Sequence, residues 1–340
     1  MVSVIILNYN GRRNLGGLLE DCLESVFKTD YPNFEVFFVD NASTDDSVEF
    51  VKRKFGQNKK LRIIQNERNF GFAEGNNIGI RNAKGEYIAL LNNDTKADHK
   101  WLRELVKAIQ PSEIGAAQSK LLQMDNPDLL DCAGGFVDYY GYSYARGHGQ
   151  KATKYNRVDN IFYAKGTGII IKREVLKRVG IFDPEMFIYY EETDLCWRIW
   201  LHGYRIVFAP ASIVYHVPSS TISTLQEHIP LYFLTRNHML ILIKNYNTKN
   251  MLKSLVAFLL LELRNAYVLA AKRKPHVSFA IIKALMWNLL HLKYIWKRRQ
   301  ITQKLIRKIS DESLKELMSK PYPPFPHSLI LPKSYYLKKT

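Results

Sequence analysis

Cysteine is scarce in this sequence, with only three among 340 residues. Cys22, Cys132 and Cys196 are odd in number and far apart, so they supply neither a disulfide framework nor the spacing of a zinc site. No apolar run reaches the roughly 18 residues that a spanning helix needs. The N-terminus, MVSVIILNYN, lacks the basic start and the apolar length of a signal peptide. These absences predict a chain in a reducing compartment with no membrane-spanning helix.

Acidic residues are rare in the last third of the chain. Residues 229–340 contain 21 Lys and Arg but only 4 Asp and Glu, so they account for the whole formal net charge of +17. A basic excess of this size attracts polyanions: nucleic acid, anionic lipid headgroups or a polyphosphate substrate. Composition alone does not choose among them.

An amphipathic pattern favours the lipid interpretation. Apolar residues recur at helical steps beside several Lys and Arg, at Ile281, Leu285, Leu289, Leu292 and Trp296. This combination is typical of a helix that lies in a membrane interface. We therefore predict a basic amphipathic membrane-associating region over 229–320, followed by a Pro-rich extended tail over 321–340.

Strand and helix patterns alternate in the first third of the sequence. Continuous apolar runs, typical of strands buried on both faces, occur at Val2–Leu7, Val36–Val39, Leu61–Ile64 and Tyr87–Leu91. Helical spacing of apolar residues lies between them, over Leu15–Phe27, Ser47–Phe55 and Glu74–Asn82. The alternation predicts an α/β fold with a mostly parallel sheet flanked by helices. Residues 111–165 are less regular, and we expect them to form acceptor-side loops around a second part of the sheet.

Polar loops rich in Asn, Asp and Gly follow each of these four strands. Ligands of open parallel sheets bind at the carboxyl ends of the strands, so these loops are expected to form the site. Asn92-Asn93-Asp94 places a carboxylate directly after a buried strand, where a divalent cation that bridges a diphosphate could be held. Taken alone, an Asp in this position more often caps a turn or a helix.

Five ordered stretches resemble the family 2 glycosyltransferases of the GT-A fold, and among them the rhamnosyltransferase-like group. They are VSVIILNYN, VDNASTDDS, NFGFAEGNNIGI, GEYIALLNND and GTGIIIKREVLKRVGIFDPEMFIYYEETDLCWRIWLHGY, and YHV follows them. The resemblance covers about residues 2–245 except the irregular middle. It implies a Rossmann-like GT-A catalytic domain over 1–228, with a nucleotide-sugar half (1–110) and an acceptor and catalytic-base half (111–228).

The resemblance also implies roles for individual residues. Asp94 and His216 match metal-ligand positions for Mg²⁺ or Mn²⁺, while Asn92 stands where the first acid of the family's Asp-x-Asp often lies. The positions expected to contact the nucleotide sugar are Tyr9, Asp40, Asn41, Asn69, Asn77, Asn92 and Asn93. For Asp40 and Asn41 the alternative is an Asx turn that starts the next helix. A lone His such as His216 is also often a structural residue.

The acidic segment from Glu191 to Asp194 resembles the stretch that supplies the family's catalytic base. The matching position is Glu192, one methylene longer than the usual Asp, so Glu191 and Asp194 remain the nearest alternatives. The base would take the proton of the acceptor hydroxyl as that hydroxyl attacks the anomeric carbon. Asp194 is also four residues before Arg198, a spacing that predicts a structural ion pair on a helix.

We therefore predict an inverting, metal-dependent glycosyltransferase on the cytoplasmic face of the cell membrane. The expected donor is dTDP-rhamnose, or otherwise a UDP-sugar. The expected acceptor is a hydroxyl of a glycan or of a polyprenyl-diphosphate-linked saccharide in cell-surface polysaccharide or glycan assembly. No nucleic-acid partner is expected. The alternatives are a catalytically silent GT-A-like membrane scaffold, which the departures Asn92 and Glu192 keep open, and a basic nucleic-acid-binding protein.

Overall fold

The computed structural model describes residues 1–217 and 226–318, so the predicted tail over 321–340 lies outside the described residues. The strands are β1 (Val2–Asn8), β2 (Phe34–Asp40), β3 (Leu61–Gln65), β4 (Tyr87–Leu91), β5 (Thr95–Ala97), β6 (Ile114–Gln123), β7 (Leu130–Cys132), β8 (Gly135–Val137), β9 (Ser143–Ala145), β10 (Asp159–Asn160), β11 (Gly168–Lys172) and β12 (Arg205–His216). The helices are α1 (Gly11–Leu15), α2 (Leu18–Phe27), α3 (Ser47–Phe55), α4 (Gly71–Asn82), α5 (Trp101–Ala108), α6 (Arg173–Val179), α7 (Glu191–Leu201), α8 (His228–Asn245), α9 (Thr248–Ala271), α10 (Pro275–Leu290) and α11 (Leu292–Gln300).

One large mixed sheet carries the fold, in the order β10-β12-β6-β11-β4-β1-β2-β3. Strands β4, β1, β2 and β3 are mutually parallel, as the continuous apolar runs predicted. Strand β11 runs antiparallel between β4 and β6, and β12 pairs parallel with β6. The parallel register places Asn8 beside Asp40, so the loops after β1 and β2 leave the sheet at the same edge.

The sheet is buried on both faces, which explains why its strands are apolar without alternation. Along β1, Val2, Val4 and Ile6 face one apolar layer, while Ile5 faces the other. All four side chains are fully buried. The helix predicted over Leu15–Phe27 begins only at Leu18, because Gly16 has a positive φ of 58° and separates α1, which ends at Leu15, from α2.

Helix α8 packs into the core of the sheet domain. Leu240, Ile241 and Leu242 are fully buried and belong to the same apolar cluster as Ile5 and Trp197. The sequence-based boundary at residue 228 therefore falls where α8 starts, and the helix beyond it shares its core with the sheet. The separate membrane-associating role of 229–320 stays a prediction.

Two expectations for this region need correction. The predicted stripe is divided, because Ile281 and Leu285 face the core and are 0% and 9% exposed, whereas Leu289, Leu292 and Trp296 are more than half exposed. The helix also ends at Leu290, so Leu292 and Trp296 belong to α11 rather than to the same face. Apolar spacing in the sequence therefore does not show which side of an apolar helix faces the protein core.

The expectation that no helix is long enough to span a membrane is wrong as well. Helix α9, Thr248–Ala271, has the length and the mean hydropathy of a spanning segment, by length and composition alone, and 22% of that segment is buried. The sequence count missed it because Glu262 and Arg264 interrupt the apolar run, whereas average hydropathy tolerates both.

Candidate active site

The last residues of β1 and β2, Asn8 and Asp40, make side-chain hydrogen bonds at the edge of the sheet. The Asn8 amide donates to Asp40 Oδ1 at 2.9 Å, and the Ser43 amide and hydroxyl donate to the two oxygens of the same carboxylate at 2.9 and 2.6 Å. Asp40 is 2% exposed, so its carboxylate closes its own loop, as the turn alternative proposed. Tyr9, next to Asn8 in the chain, is exposed. The nucleotide contacts expected of Tyr9 and Asp40 stay predictions.

Asn41 holds the third loop in place. Its amide group donates to Asn69 Oδ1 and to the Gly71 carbonyl at 3.0 and 2.9 Å, and its own oxygen accepts from Asn66 at 2.9 Å. Asn69 also accepts from the Gly71 amide at 2.8 Å. The geometry therefore gives Asn41 and Asn69 a loop-building role, and nothing in it assigns them a nucleotide contact.

Asn77 connects α4 to a distant loop. Its side-chain oxygen accepts from the Phe182 amide at 3.0 Å, and its NH₂ group donates to the Phe182 carbonyl, also at 3.0 Å. The NH₂ group donates to Glu74 as well, at 2.8 Å. Since Asn77 is 1% exposed, the structure favours a tie between these elements over the predicted contact with a nucleotide sugar.

The sheet brings Asp94 and His216 together, as the sequence predicted for a metal pair. Strand β5 follows Asp94 directly and pairs antiparallel with the end of β12, with Thr95 opposite His216. Asp94 Oδ1 lies 3.5 Å from His216 Nε2. Asn92 and Asn93, next in the chain, donate to Thr167 Oγ1 at 3.3 Å and to Asn8 Oδ1 at 2.9 Å.

Asp131 on β7 is a site residue that the sequence reasoning missed. Its carboxylate is buried and lies 3.1 Å from His216 Nδ1, so the other ring nitrogen of His216 points toward Asp94. Lys165 Nζ lies 3.7 Å from the same carboxylate. No motif marks Asp131, because it lies in the irregular middle and meets His216 only through strand pairing.

Electrostatics around this pair favour a charged imidazole. Burial alone would lower the pKa of His216, but its contacts with Asp131 and Asp94 outweigh burial and raise that pKa to about 9. Burial would raise the pKa of Asp131, but Lys165, His148 and His216 hold it well below its usual range. The charged imidazole of His216 therefore lies between the carboxylates of Asp94 and Asp131.

Glu192 lies at the first turn of α7, where it accepts a short hydrogen bond from the Gly166 amide. A Cβ on Gly166 would lie 2.8 Å from Glu192 Oε1 and 2.6 Å from the Phe72 ring, so only glycine permits this approach. The next residue, Thr167, contacts Asn92. Gly166 and Thr167 thus connect Glu192 to the loop that carries Asp94.

The two glutamates of this turn differ in environment. Burial raises the pKa of Glu192, although the Gly166 amide, Lys165 and His216 lower it in part. Burial and the charge of Glu192 together raise the pKa of Glu191 well above its usual range. Glu191 is 4% exposed, and its buried Oε2 has no hydrogen-bond partner among the described residues. The geometry therefore favours Glu191 as the protonated neighbour and Glu192 as the base.

Asp194 belongs to a buried ion-pair network. Arg198 contacts it at 2.9 Å and Lys244 at 3.0 Å, and Asn245 donates to it at 3.1 Å. Lys244 also pairs, at 2.5 Å, with Asp183, a residue of the connection between α6 and α7. Since Asp194 is fully buried, the structure favours the structural role over the catalytic one, and the pair with Arg198 is internal rather than on the surface.

The donor set of Asp94 and His216 fits a divalent cation of the Mg²⁺ or Mn²⁺ type. One carboxylate oxygen and one imidazole nitrogen face each other across 3.5 Å. Across residues 1–217 and 226–318, no group of three or more His, Cys, Asp or Glu side chains could hold a metal ion by itself. A cation held by this pair would need further ligands from water or a bound molecule.

The family model described as "Glycosyl transferase family 2" matches residues 3–180 of this chain. The chain is 30% identical over 128 residues to "Glycosyltransferase GlyG" of Streptococcus pneumoniae serotype 4, covering 38% of this chain and 41% of that protein. It is 28% identical to "O-antigen biosynthesis protein RfbC" of Myxococcus xanthus, covering 64% of this chain and 17% of that protein. The chain thus spans less than half the length of both relatives.

The fold is similar to that of a solved structure described as GalNAc-T7 with UDP, GalNAc and Mn²⁺. The TM-score is 0.61 at 17% sequence identity, covering 91% of this chain and 59% of that one. At this identity the likeness establishes the fold, and it agrees with the predicted mixed α/β architecture with helices on both faces of the sheet.

Proposed function

This chain belongs to glycosyl transferase family 2, and we propose that it is an inverting glycosyltransferase that uses a divalent cation and a nucleotide-sugar donor. One observation carries the proposal: a candidate metal pair and a candidate base lie at the same edge of one sheet. Asp94 and His216 face each other at 3.5 Å, and Glu192 reaches the same loops through Gly166 and Thr167.

The proposed reaction begins with Glu192 as an unprotonated carboxylate. A pKa raised by burial makes it a stronger proton acceptor near neutral pH than an exposed glutamate. It accepts the proton of the acceptor hydroxyl as that oxygen bonds to the anomeric carbon. The bond from that carbon to the nucleotide diphosphate breaks on the opposite face, so the configuration inverts. Asp94 and His216 would hold the cation, which would offset the charge that develops on the diphosphate.

The donor that we propose first is dTDP-rhamnose, with a UDP-sugar as the next choice. The choice rests on the resemblance of the sequence motifs to the rhamnosyltransferase-like group. The proposed acceptor is a hydroxyl of a glycan or of a polyprenyl-diphosphate-linked saccharide. The similarity to an O-antigen biosynthesis protein supports a role in polysaccharide assembly.

The first experiment is calorimetric titration of the full chain with the dTDP, UDP and GDP forms of nucleotides and sugars, with and without Mn²⁺. Binding of one nucleotide that requires the metal is expected. Asp94→Ala should abolish the metal-dependent part of that binding. The absence of any nucleotide binding would instead favour the silent scaffold.

The base is tested by a matched pair of variants on adjacent residues. Glu192→Gln should leave donor binding intact and lower transfer by about 100- to 10,000-fold, the usual contribution of a general base. Glu191→Gln changes a side chain whose pKa is raised well above its usual range by burial and by Glu192, and it should retain most activity. Near-normal turnover of Glu192→Gln would move the base to a neighbour.

Localisation at an anionic membrane surface is part of the same proposal. Of the 17 large apolar side chains that are exposed among the described residues, 13 lie between Leu252 and Leu305. On α9 they recur at steps of four, four, three and four, at Leu252, Val256, Leu260, Leu263 and Tyr267. The only acid between residues 248 and 308 is the buried Glu262. An apolar face within a purely basic surface suits anionic lipid.

Vesicle binding tests this surface without removing any of the shared core. Full-length protein should cosediment with vesicles that contain phosphatidylglycerol and should be released by salt. The triple substitution of Val256, Leu260 and Leu263 by Glu should reduce binding at least tenfold, given about 1.5 kcal/mol or more for each large apolar side chain transferred. Val158→Glu, on a residue that is 64% exposed elsewhere, is the control. Equal binding by the triple variant would refute the surface, and preference for RNA or DNA over vesicles would favour the nucleic-acid alternative.

A further inference from the structure

The segment that leads into α7 has an unusual backbone. Phe187, Tyr189 and Tyr190 have φ values of 57°, 70° and 66°. Residues with a Cβ rarely adopt the left-handed region, and they persist there only where the surroundings fix them. Tyr190 immediately precedes Glu191 and Glu192, so the same backbone sets the start of the catalytic helix.

Asn237 on α8 provides the main contact that fixes this segment. Its NH₂ group donates to the carbonyl oxygens of Met186, Ile188 and Tyr189 at 2.7, 2.9 and 2.7 Å. The side chain is fully buried. One amide thus contacts three carbonyl groups, of which those of Ile188 and Tyr189 belong to no helix or strand and that of Met186 ends a short 3-10 helix over Pro184–Met186.

Arg236 fixes the orientation of that amide. Its Nε donates to Asn237 Oδ1 at 2.9 Å, so the NH₂ group of Asn237 must face the segment. Arg236 Nη2 makes a short hydrogen bond to the Glu185 carbonyl, one residue before Met186. The guanidinium group also stacks over Trp287, 4.6 Å from the ring centroid.

The remaining carbonyl groups of the segment have other partners. The Phe187 carbonyl accepts from the amides of Phe72 and Ala73 at 2.6 and 3.1 Å, and the Tyr190 carbonyl accepts from the Asp194 amide at 2.8 Å. Each of the six consecutive carbonyl groups from residue 185 to residue 190 is therefore satisfied. Arg236 and Asn237 supply donors to four of them.

Helix α8 also packs against two of the three aromatic rings of the segment. Phe233 stacks on Phe187 with the ring centroids 5.1 Å apart, and His238 stacks on Tyr190, also at 5.1 Å. These residues and Asn237 lie on neighbouring turns of α8. Helix α8 therefore contacts residues 185–190, the segment before the base, through both its hydrogen bonds and its aromatic rings.

We propose that Asn237, oriented by Arg236, is a positioning residue that aims Glu192 at the acceptor hydroxyl. The proposal rests on the proposed function, because it assigns Asn237 a role through the base. Asn237 touches neither the candidate metal pair nor Glu192, so its loss should impair the proton-transfer step and leave donor binding intact.

Three variants separate positioning from general stability. Asn237→Asp keeps the side-chain shape and removes the NH₂ donors, whereas Asn237→Ala removes the whole amide. Asn288→Ala is the matched control, because Asn288 is equally buried and donates to the carbonyl groups of Arg236 and Ala284, away from the segment. Melting temperature, donor affinity, transfer rate per folded molecule and hydrogen–deuterium exchange are measured for each, with the donor found by titration.

Both Asn237 variants should reduce kcat about a hundredfold, the effect of roughly 1 Å of misplacement, while the donor Kd changes less than about twofold. Exchange should accelerate in peptides that cover residues 185–192. Asn288→Ala should lower the melting temperature without either effect. Asn237→Asp should be at least as impaired as Asn237→Ala, because the missing function is donation rather than volume.

Unchanged kcat per folded molecule in the Asn237 variants, or exchange over 185–192 equal to that of Asn288→Ala, would overturn the proposal. If the wild-type chain transfers no sugar from any donor, the proposed function fails instead. The exchange measurement needs no substrate. Unaltered exchange would then still refute the hold of Asn237 on the segment.

Discussion

Binding of a divalent cation at Asp94 and His216 should release a proton. Without metal, the contacts with Asp131 and Asp94 overcome the opposing effect of burial and raise the pKa of His216 to about 9, so the imidazole is charged at neutral pH. A metal ligand must be the neutral imidazole. A pH of 7.5 is about 1.5 units below the pKa of His216. Removal of the imidazole proton at this pH therefore costs about 2 kcal/mol, which lowers the metal affinity roughly thirtyfold.

The direction of the pH dependence follows from this shift. Between the ordinary pKa of 6.5 and the raised pKa of about 9, the metal-free site carries the additional proton. Apparent affinity for Mn²⁺ in the presence of the nucleotide should therefore rise by up to tenfold for each pH unit and level off above about pH 9. Calorimetry in buffers of different ionisation enthalpy should detect about one proton released per site at pH 7.5.

Asp131→Asn should flatten this dependence, because one of the two carboxylates that raise the pKa of His216 is lost. Asp138→Asn is the control, since Asp138 is equally buried but accepts from the amides of Tyr140 and Tyr142. An affinity that stays constant from pH 6.5 to 9 with no proton release would refute His216 as a ligand that must lose a proton.

Three further predictions concern stability. Burial raises the pKa of Glu262 from 4.5 to about 7, so its contribution to stability is lost as the pH rises from about 4.5 through 7. Glu262→Gln should raise the unfolding free energy by about 3 kcal/mol at pH 8 and little at pH 4, as urea titrations would show; equal effects at both would contradict this. Asp194→Ala leaves Lys244 and Arg198 buried without this carboxylate and should cost about 3–5 kcal/mol, and a loss below 1 kcal/mol in the same titrations would refute the network. Gly71→Ala should lower the melting temperature, because Gly71 has a φ of 75° and a Cβ would lie 2.5 Å from the Phe187 ring; an unchanged melting temperature would show that the loop relaxes.

The parallel half of the sheet could be predicted because its signals are local. Continuous apolar runs predicted β1 to β4, and the helix predicted over Ser47–Phe55 matches α3 at both ends. The position of Asp94 just after β4 was also predictable, whereas its role as a metal ligand stays a prediction. The pairing of β5 with β12 was not predictable, because β5 has only three residues and its partner lies more than a hundred positions away.

Predictions for the polar loops were less accurate for a related reason. An Asn in a loop looks the same in sequence whether its amide faces a ligand or a neighbouring carbonyl. Asn41 and Asn77 are buried and, like the exposed Asn69, hold loops together, whereas Asn92 and Asn93 are half-buried beside Asp94. Which partner each amide meets depends on the complete fold.

The helices after residue 228 are also more closely connected to the site than their composition suggested. Lys244 pairs with Asp183 and Asp194 on either side of the segment before the base, and Asn237 holds that segment between them. Arg299 on α11 in turn donates to the carbonyl group of Tyr246, just after α8. Because every contact is buried, removing the basic region would also remove the supports of Glu192. Loss of activity on truncation would therefore not by itself demonstrate a membrane role, whereas substitutions on the exposed face of α9 leave those supports intact.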